Sequence, residues 1–152
     1  MGSGSLLSIY LDTSFIVSLY SIDANSFLAS QTLRNLQSSA ELLLSTFSEL
    51  EVVNALQLRL FRKQDSRNQV RLALAAFDED LRASRFQLRL LPDFVFQRAR
   101  QLSLQTTARL GTRSSDLFHV AAALELGAEG FYTFDKQQKN LAESVKLRVN
   151  RY

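Results

Sequence analysis

Three aspartates stand where a folded chain would present them to a ligand. Asp116 enters an apolar helix at SDLFHVAAALELGA, and Asp135 follows the strand-like run FYTF. Asp12 ends the β-rich run Leu7 to Leu11 and is followed by two hydroxyl residues, Thr13 and Ser14. The first turn of a helix holds a carboxylate favourably against its dipole, and open α/β sheets bind ligands at the carboxyl ends of their strands. A fourth acid, Glu51, opens the helical segment LEVVNALQLRLF. Composition excludes other chemistry. The absence of Cys removes disulfides, thiolate metal sites and a cysteine nucleophile, and the single His119 removes any mechanism that needs two histidines as acid and base. What remains is chemistry run by carboxylates, hydroxyls or a metal ion. Taken singly, each acid also has an ordinary structural explanation: Asp116 as a dipole acid, Asp135 as a turn residue, and Glu51 as the partner of Ser48 in an S-x-x-E capping box.

These acids need elements to hold them. Leu117, Ala121, Leu124 and Ala128 recur at helical spacing and predict a core-facing stripe, stopped by Gly127 and Gly130 ahead of the strand FYTF. Upstream, Asn25 or Ser26 caps a predicted helix carrying Ala29, Leu33, Leu36 and Ala40, and ELLLST from Glu41 supplies a second strand. The polar break RKQDSR separates LEVVNALQLRLF from a helix with Val70, Leu74, Phe77 and Leu81 on one face, which predicts a helical hairpin. FQLRLLP is extended, and Pro92 suits the start of a helix carrying Val95, Ala99 and Leu102 that fades at Arg109-Leu110-Gly111. VKLRV from Val145 alternates as an edge strand would. Strands separated by helices predict a three-layer α/β/α domain with a mainly parallel central sheet and a protruding helical hairpin. With 152 residues, 46% of them hydrophobic, one domain with a real core is expected over residues 6–152, and residues 1–5, MGSGS, read as a cloning remnant. No apolar run reaches the ~18 residues of a membrane span, so a cytoplasmic protein with no membrane association is expected. The net charge of +3 suits a polyanionic partner without requiring one.

Four words in order, IYLDTS, FSELEVVNAL, TRSSDLFHVAAALELGA and FYTFDK, resemble the PIN domain family, and within it the VapC-like toxins of toxin-antitoxin pairs. The resemblance runs from about residue 7 to residue 149, and the central hairpin is its least specific part. It implies that Asp12, Glu51, Asp116 and Asp135 converge to bind divalent metal. Asp12, Asp116 and Asp135 are then ligands, direct or through water, and Glu51 is an outer ligand or the acceptor that orients the attacking water. Carboxylates crowded in one cleft repel, and a hard cation such as Mg²⁺ or Mn²⁺ relieves that repulsion. Such an ion can lower the pKa of a bound water and neutralise charge building on phosphorus. The resemblance further implies an endoribonuclease that cuts RNA, usually a tRNA or rRNA loop, to leave a 5′-phosphate. It also implies a homodimer and a small antitoxin protein as partner.

Other side chains could support this set. Thr13, Ser14 and Thr133 could hydrogen-bond the acids or a phosphate, although such hydroxyls commonly satisfy their own backbone. Asn54, three residues after Glu51, could orient that carboxylate or serve as a structural amide. Glu49 opens the same helix two residues before Glu51 and cannot point the same way; the interval to Asn54-Ala55 in the family favours Glu51. His119 fits a satisfied, partly buried histidine better than a ligand of a hard ion. Arg59, Arg62, Lys63, Arg67 and Arg71 form one basic segment, and Arg98, Arg100, Arg109 and Arg113 another; each is either a phosphate-tracking rim or a solvated face. Arg113 is the one nearest Asp116. A haloacid-type phosphatase would need an acid where Ser14 stands, and neither G-x-x-x-x-G-K nor G-x-G-x-x-G occurs. The alternatives are a housekeeping RNA-processing nuclease, or a non-catalytic RNA- or protein-interaction domain on the same fold.

Overall fold

Alternating side chains along the strands divide the interior in two. The computed structural model describes residues 6–36 and 39–151; the segment read as a cloning remnant, residues 1–5, lies outside them. In β1 (Leu7–Leu11), Ile9 and Leu11 point to one face and Tyr10 to the other. The strand β2 (Ala40–Ser45) divides Leu44 from Leu43 in the same way. With β3 (Gln87–Arg89), β4 (Gly130–Tyr132) and β5 (Arg148–Val149) they form a five-stranded sheet in the order β3-β2-β1-β4-β5. Every pairing is parallel.

A parallel sheet must be covered on both faces. On one, Ile9, Leu11 and Leu44 meet Phe15 and Ile16 of α1 (Thr13–Tyr20), Ala29 of α2 (Ser26–Leu36), and the hairpin of α3 (Thr46–Phe61) and α4 (Arg67–Arg82), which contributes Val52, Leu56, Val70 and Phe77. On the other, Tyr10, Leu43 and Phe131 meet α5 (Val95–Leu102), which runs through a π-helical turn at Ser103–Thr107 into α6 (Ala108–Leu110). The same face is completed by α7 (Ser114–Glu125) and α8 (Lys136–Ser144), through Val120, Ala121 and Leu141. This is the expected three-layer α/β/α architecture. The hairpin is rooted against α1, and residues 61–64 and 66–69 at its tip are exposed.

Several boundaries differ from the sequence reading, each for a local reason. The N-cap of α3 is Ser45, whose hydroxyl accepts from the Ser48 N–H while Ser48 reciprocates, so the capping box lies three residues earlier than Ser48/Glu51. Glu51 is thereby displaced into the second turn and released from capping. Ala40 belongs to β2 and not to the preceding helix, and Gly127, at φ +74°, ends α7 before Ala128. Residues 13–20 form a helix that apolar periodicity does not announce, because Asp12 caps it. Helix α8 is mostly polar and buries only Gln138, Leu141 and Ala142, too thin a stripe to read. Among the described residues no helix is long and apolar enough to cross a membrane.

The strand order sets where a ligand would sit. From β1 the chain builds outward through β2 and β3, then crosses to β4 on the other flank of β1. Connections therefore leave β1 and β4 in opposite directions, which opens a crevice at their carboxyl ends.

Candidate active site

Asp12 is the first residue beyond β1, at the mouth of this crevice, and it caps α1. Its Oδ1 accepts from the Phe15 N–H at 3.0 Å and the Ser14 hydroxyl at 2.8 Å, and its Oδ2 accepts from the Thr133 hydroxyl at 2.6 Å. Thr133 is the first residue beyond β4, and its oxygen also accepts from the Asp135 N–H at 2.9 Å. Ser14 in turn accepts from the Phe134 N–H at 3.0 Å. The ends of two neighbouring strands are thus tied together through one carboxylate. Burial raises the Asp12 carboxyl above the ordinary carboxylate range, against the pull of hydrogen bonds from Thr133, Phe15 and Ser14 and of the nearby His119.

Glu51 enters from the other side of the cleft, on α3. Its Oε1 accepts from the Thr13 hydroxyl at 2.6 Å and is joined to His119 Nε2. The opposite ring nitrogen, Nδ1, lies 2.8 Å from the Tyr10 hydroxyl, which also meets Ser45 and Ser48 at 3.0 and 2.9 Å. A chain of buried polar groups therefore runs from the middle of β1 to the Glu51 carboxylate. Burial works to raise that carboxyl, but the hydrogen bond and charge of His119, the Thr13 hydroxyl and the Arg113 charge outweigh it and hold it below its usual range.

The last two acids share a cation. Asp116, in the first turn of α7, is buried, and its Oδ2 accepts from the Arg113 backbone N–H at 3.1 Å. The Arg113 side chain lies 3.2 and 3.3 Å from the two Asp116 oxygens and reaches Asp135 Oδ2 at 2.9 Å. Asp135 caps α8, with its Oδ1 accepting from Gln137 and Gln138.

All four acids, with Thr13, Ser14 and Arg113, line one open cleft of about 650 Å³. Glu49 is not among its lining residues. Asn54 is exposed, and the hydrogen bonds to Glu51 come from Thr13 and His119 instead. Of the basic residues, Arg62 reaches the cleft, whereas Arg59 is bound to Asp65 at 2.6 Å and Arg98 faces Glu125 at 3.6 Å. A wider groove of about 1240 Å³ runs between α2 and β5, but among the described residues that line it the one acid is Glu143. Two contributors escape a reading of the sequence alone: Tyr10 and Asn150. A tyrosine at a core position beside a strand-ending acid is a usable signal, because a buried phenol needs a partner. Nothing near Asn150 announces that its carboxamide grips Thr133.

The donor set fits a hard divalent ion in kind, since its members offer carboxylate oxygens. Asp12, Glu51, Asp116 and Asp135 are the carboxylates of the cleft that could hold it. Their hydrogen bonds are at present made to protein donors, and among the described residues no three acid or histidine side chains stand close enough to share one ion. Arg113 occupies the space between Asp116 and Asp135.

The fold is similar to that of Mycobacterium tuberculosis VapC20, a toxin that cleaves the sarcin-ricin loop, with a TM-score of 0.66 and 19% identity over 87% of this chain and 93% of that one. It is similar also to VapBC2 from Rickettsia felis, solved bound to a promoter DNA fragment (TM-score 0.68, 16% identity, 95% and 98% of the two chains). A third is VapBC-1 from nontypeable Haemophilus influenzae (TM-score 0.60, 16% identity, 95% and 97%). At these identities the likeness carries the fold alone. No curated protein matches the sequence. The model of the PIN domain matches residues 9–144, an interval that holds both strand ends of the crevice and all four acids. The chain belongs to the PIN domain family.

Proposed function

We propose that this protein is a divalent-metal-dependent endoribonuclease and the toxin of a VapBC-type toxin-antitoxin pair. The observation that carries the reading is the arrival of four acids, from the ends of β1 and β4 and from α3 and α7, in one cleft at the sheet's switch point. Mg²⁺ or Mn²⁺ bound there would supply Lewis-acid stabilisation of the phosphodiester and an acidified water. The protein's own groups do the rest. Glu51 is partly exposed, at 28%, and held ionised by Thr13 and His119, so it can accept the proton of an attacking water. Water adds to phosphorus, its proton passing to Glu51, as the bond to the 3′-oxygen breaks; that oxygen takes up a proton from solvent, leaving a 3′-hydroxyl and a 5′-phosphate. Thr133 and Ser14 fix the rotamer of Asp12, and the Arg62 guanidinium offers the backbone of RNA a cation at the cleft.

Two of the similar structures bear VapBC names, which supports a small antitoxin protein as partner. Homodimerisation is supported by large exposed apolar side chains, Leu50, Phe94 and Phe96 among them, of which Phe96 packs on Phe118 of the Phe47–Phe118 ring pair. A cytoplasmic site of action and a tRNA or rRNA loop as target follow from the same reading. The purified protein is expected to cut RNA in Mg²⁺ or Mn²⁺, to stop in EDTA and to resume when the ion is restored. Cleavage undiminished by EDTA would sink this reading. Co-purification with the product of an adjacent small reading frame tests the antitoxin.

A further inference from the structure

Arg113 is placed as a counter-ion. It contacts both oxygens of the buried Asp116 and reaches across to Asp135, joining the start of α7 to the start of α8. Among the described residues the ion pairs of Asp116 and Asp135 are both made with Arg113: the Asp116 side chain is 1% exposed, and the neighbouring donors on Asp135 are neutral backbone N–H groups. The guanidinium itself is 63% exposed and hangs on a flexible stem, so it can leave without disturbing the core. Two acids brought together by the fold would repel without a cation. Arg113 and a divalent ion therefore compete for the same oxygens.

We infer that Arg113 is an intramolecular latch on the cleft, standing in for the divalent ion and released when that ion binds Asp116 and Asp135. The inference rests on the metal-dependent reading above and adds to it a built-in competitor. The latch lowers the cleft's apparent affinity for metal and keeps the metal-free acids from forcing α7 and α8 apart. It also makes the opening of the site depend on the concentration of free divalent ion. A cation displaced from two carboxylates remains at the cleft mouth, where it faces an incoming phosphate.

The test is Mn²⁺ binding to the purified protein without RNA, followed by calorimetry, for the parent, Arg113→Gln and Arg113→Lys. Two partly exposed ion pairs are at stake, so Arg113→Gln is expected to bind Mn²⁺ roughly two- to thirty-fold more tightly. Arg113→Lys should fall between, because an ammonium does not present the planar fork that spans two carboxylates. The metal-free melting temperature of Arg113→Gln should drop, and its rise on adding Mn²⁺ should exceed the parent's. Equal or weaker Mn²⁺ affinity in Arg113→Gln, with the parent still binding, would overturn the latch and leave the metal-dependent reading standing. Absence of Mn²⁺ binding in all three proteins would overturn both. Should Arg113→Gln fail to fold, Arg113→Lys decides by the same sign: tighter binding supports the latch, equal or weaker binding overturns it.

Discussion

Asn150 grips Thr133 on both sides of its backbone: Oδ1 accepts from the Thr133 N–H and Nδ2 donates to the Thr133 carbonyl, each at 2.8 Å. The carboxamide does the work of a strand partner just past the last β4–β5 backbone pair, Phe131 with Val149. It matters to the site because the Thr133 hydroxyl is the one that holds Asp12 Oδ2. Asn150 is 3% exposed, so water cannot easily replace it. Asn150→Ala should cost roughly 1–3 kcal/mol. That is a fall of roughly 3–10 °C in melting temperature, accompanied by reduced cleavage. Asn150→Asp should not restore either property, since a carboxylate cannot donate to the Thr133 carbonyl. A melting temperature within about a degree of the parent would show that the clamp is idle.

The sequence made the three aspartates legible because each sits at an element boundary, where a residue's place depends on a few neighbours. Asp12 after LSIYL and Asp116 at the head of an alanine-rich helix are local facts. Glu51 was legible as a site residue but not as to its surroundings: the capping box moved to Ser45 and Ser48, and its orienting partners are Thr13 and His119, not Asn54. Thr13 and His119 lie 38 and 68 residues from Glu51, and no local pattern encodes such pairs. The helix α1 was hidden for a related reason. TSFIVSLY is as apolar as a strand, and what makes it helical is the cap supplied by an acid that reads first as a ligand. The basic segments were legible only as charge. Which arginines are spent on Asp65 and Glu125, and which face the cleft, is decided by folding.

Arg62 should therefore behave differently from Arg59. Arg62 is exposed at the cleft, while Arg59 is bound to Asp65 and to the Ile22 carbonyl. Removing one phosphate contact from a single strand reduces the slope of log affinity against log salt by about 0.7. Arg62→Gln is expected to show that loss when RNA binding is titrated against KCl in EDTA. Arg59→Gln is expected to lower the melting temperature and leave the slope unchanged.

Thr13→Val tests how Glu51 is kept ionised. Its carboxyl is held low in part by the Thr13 hydroxyl, so removing that donor should raise it. A group whose folded pKa is depressed contributes stability above its unfolded value and loses it as pH falls through the folded value. The variant should thus lose acid stability, and the acid limb of its pH–rate profile in Mn²⁺ should move to higher pH while the neutral-pH rate changes little. An acid limb that stays in place would remove Glu51 as the group that accepts the proton.

Asp12→Asn separates a metal ligand from a plain helix cap. Asn keeps an oxygen for the Phe15 N–H, and the Thr133 hydroxyl can turn to accept from the new amide, so the local hydrogen bonds survive. What disappears is a buried charge. Burial raises the Asp12 carboxyl in the folded protein, so between its unfolded value, about 4, and its folded value the folded state binds more protons than the unfolded one. Stability is then lost as pH rises through that window, and the loss persists above it. In EDTA, Asp12→Asn should melt close to the parent near the lower end of the window and above it at pH 7.5. Asp12→Ala, which also gives up the cap, should lose about 0.5–2 kcal/mol relative to Asp12→Asn at both pH values. Added Mn²⁺ should raise the parent's melting temperature and leave that of Asp12→Asn unmoved. If Asp12→Asn melts below the parent at pH 7.5 and keeps the full Mn²⁺ response, Asp12 is a structural cap and the metal is held elsewhere.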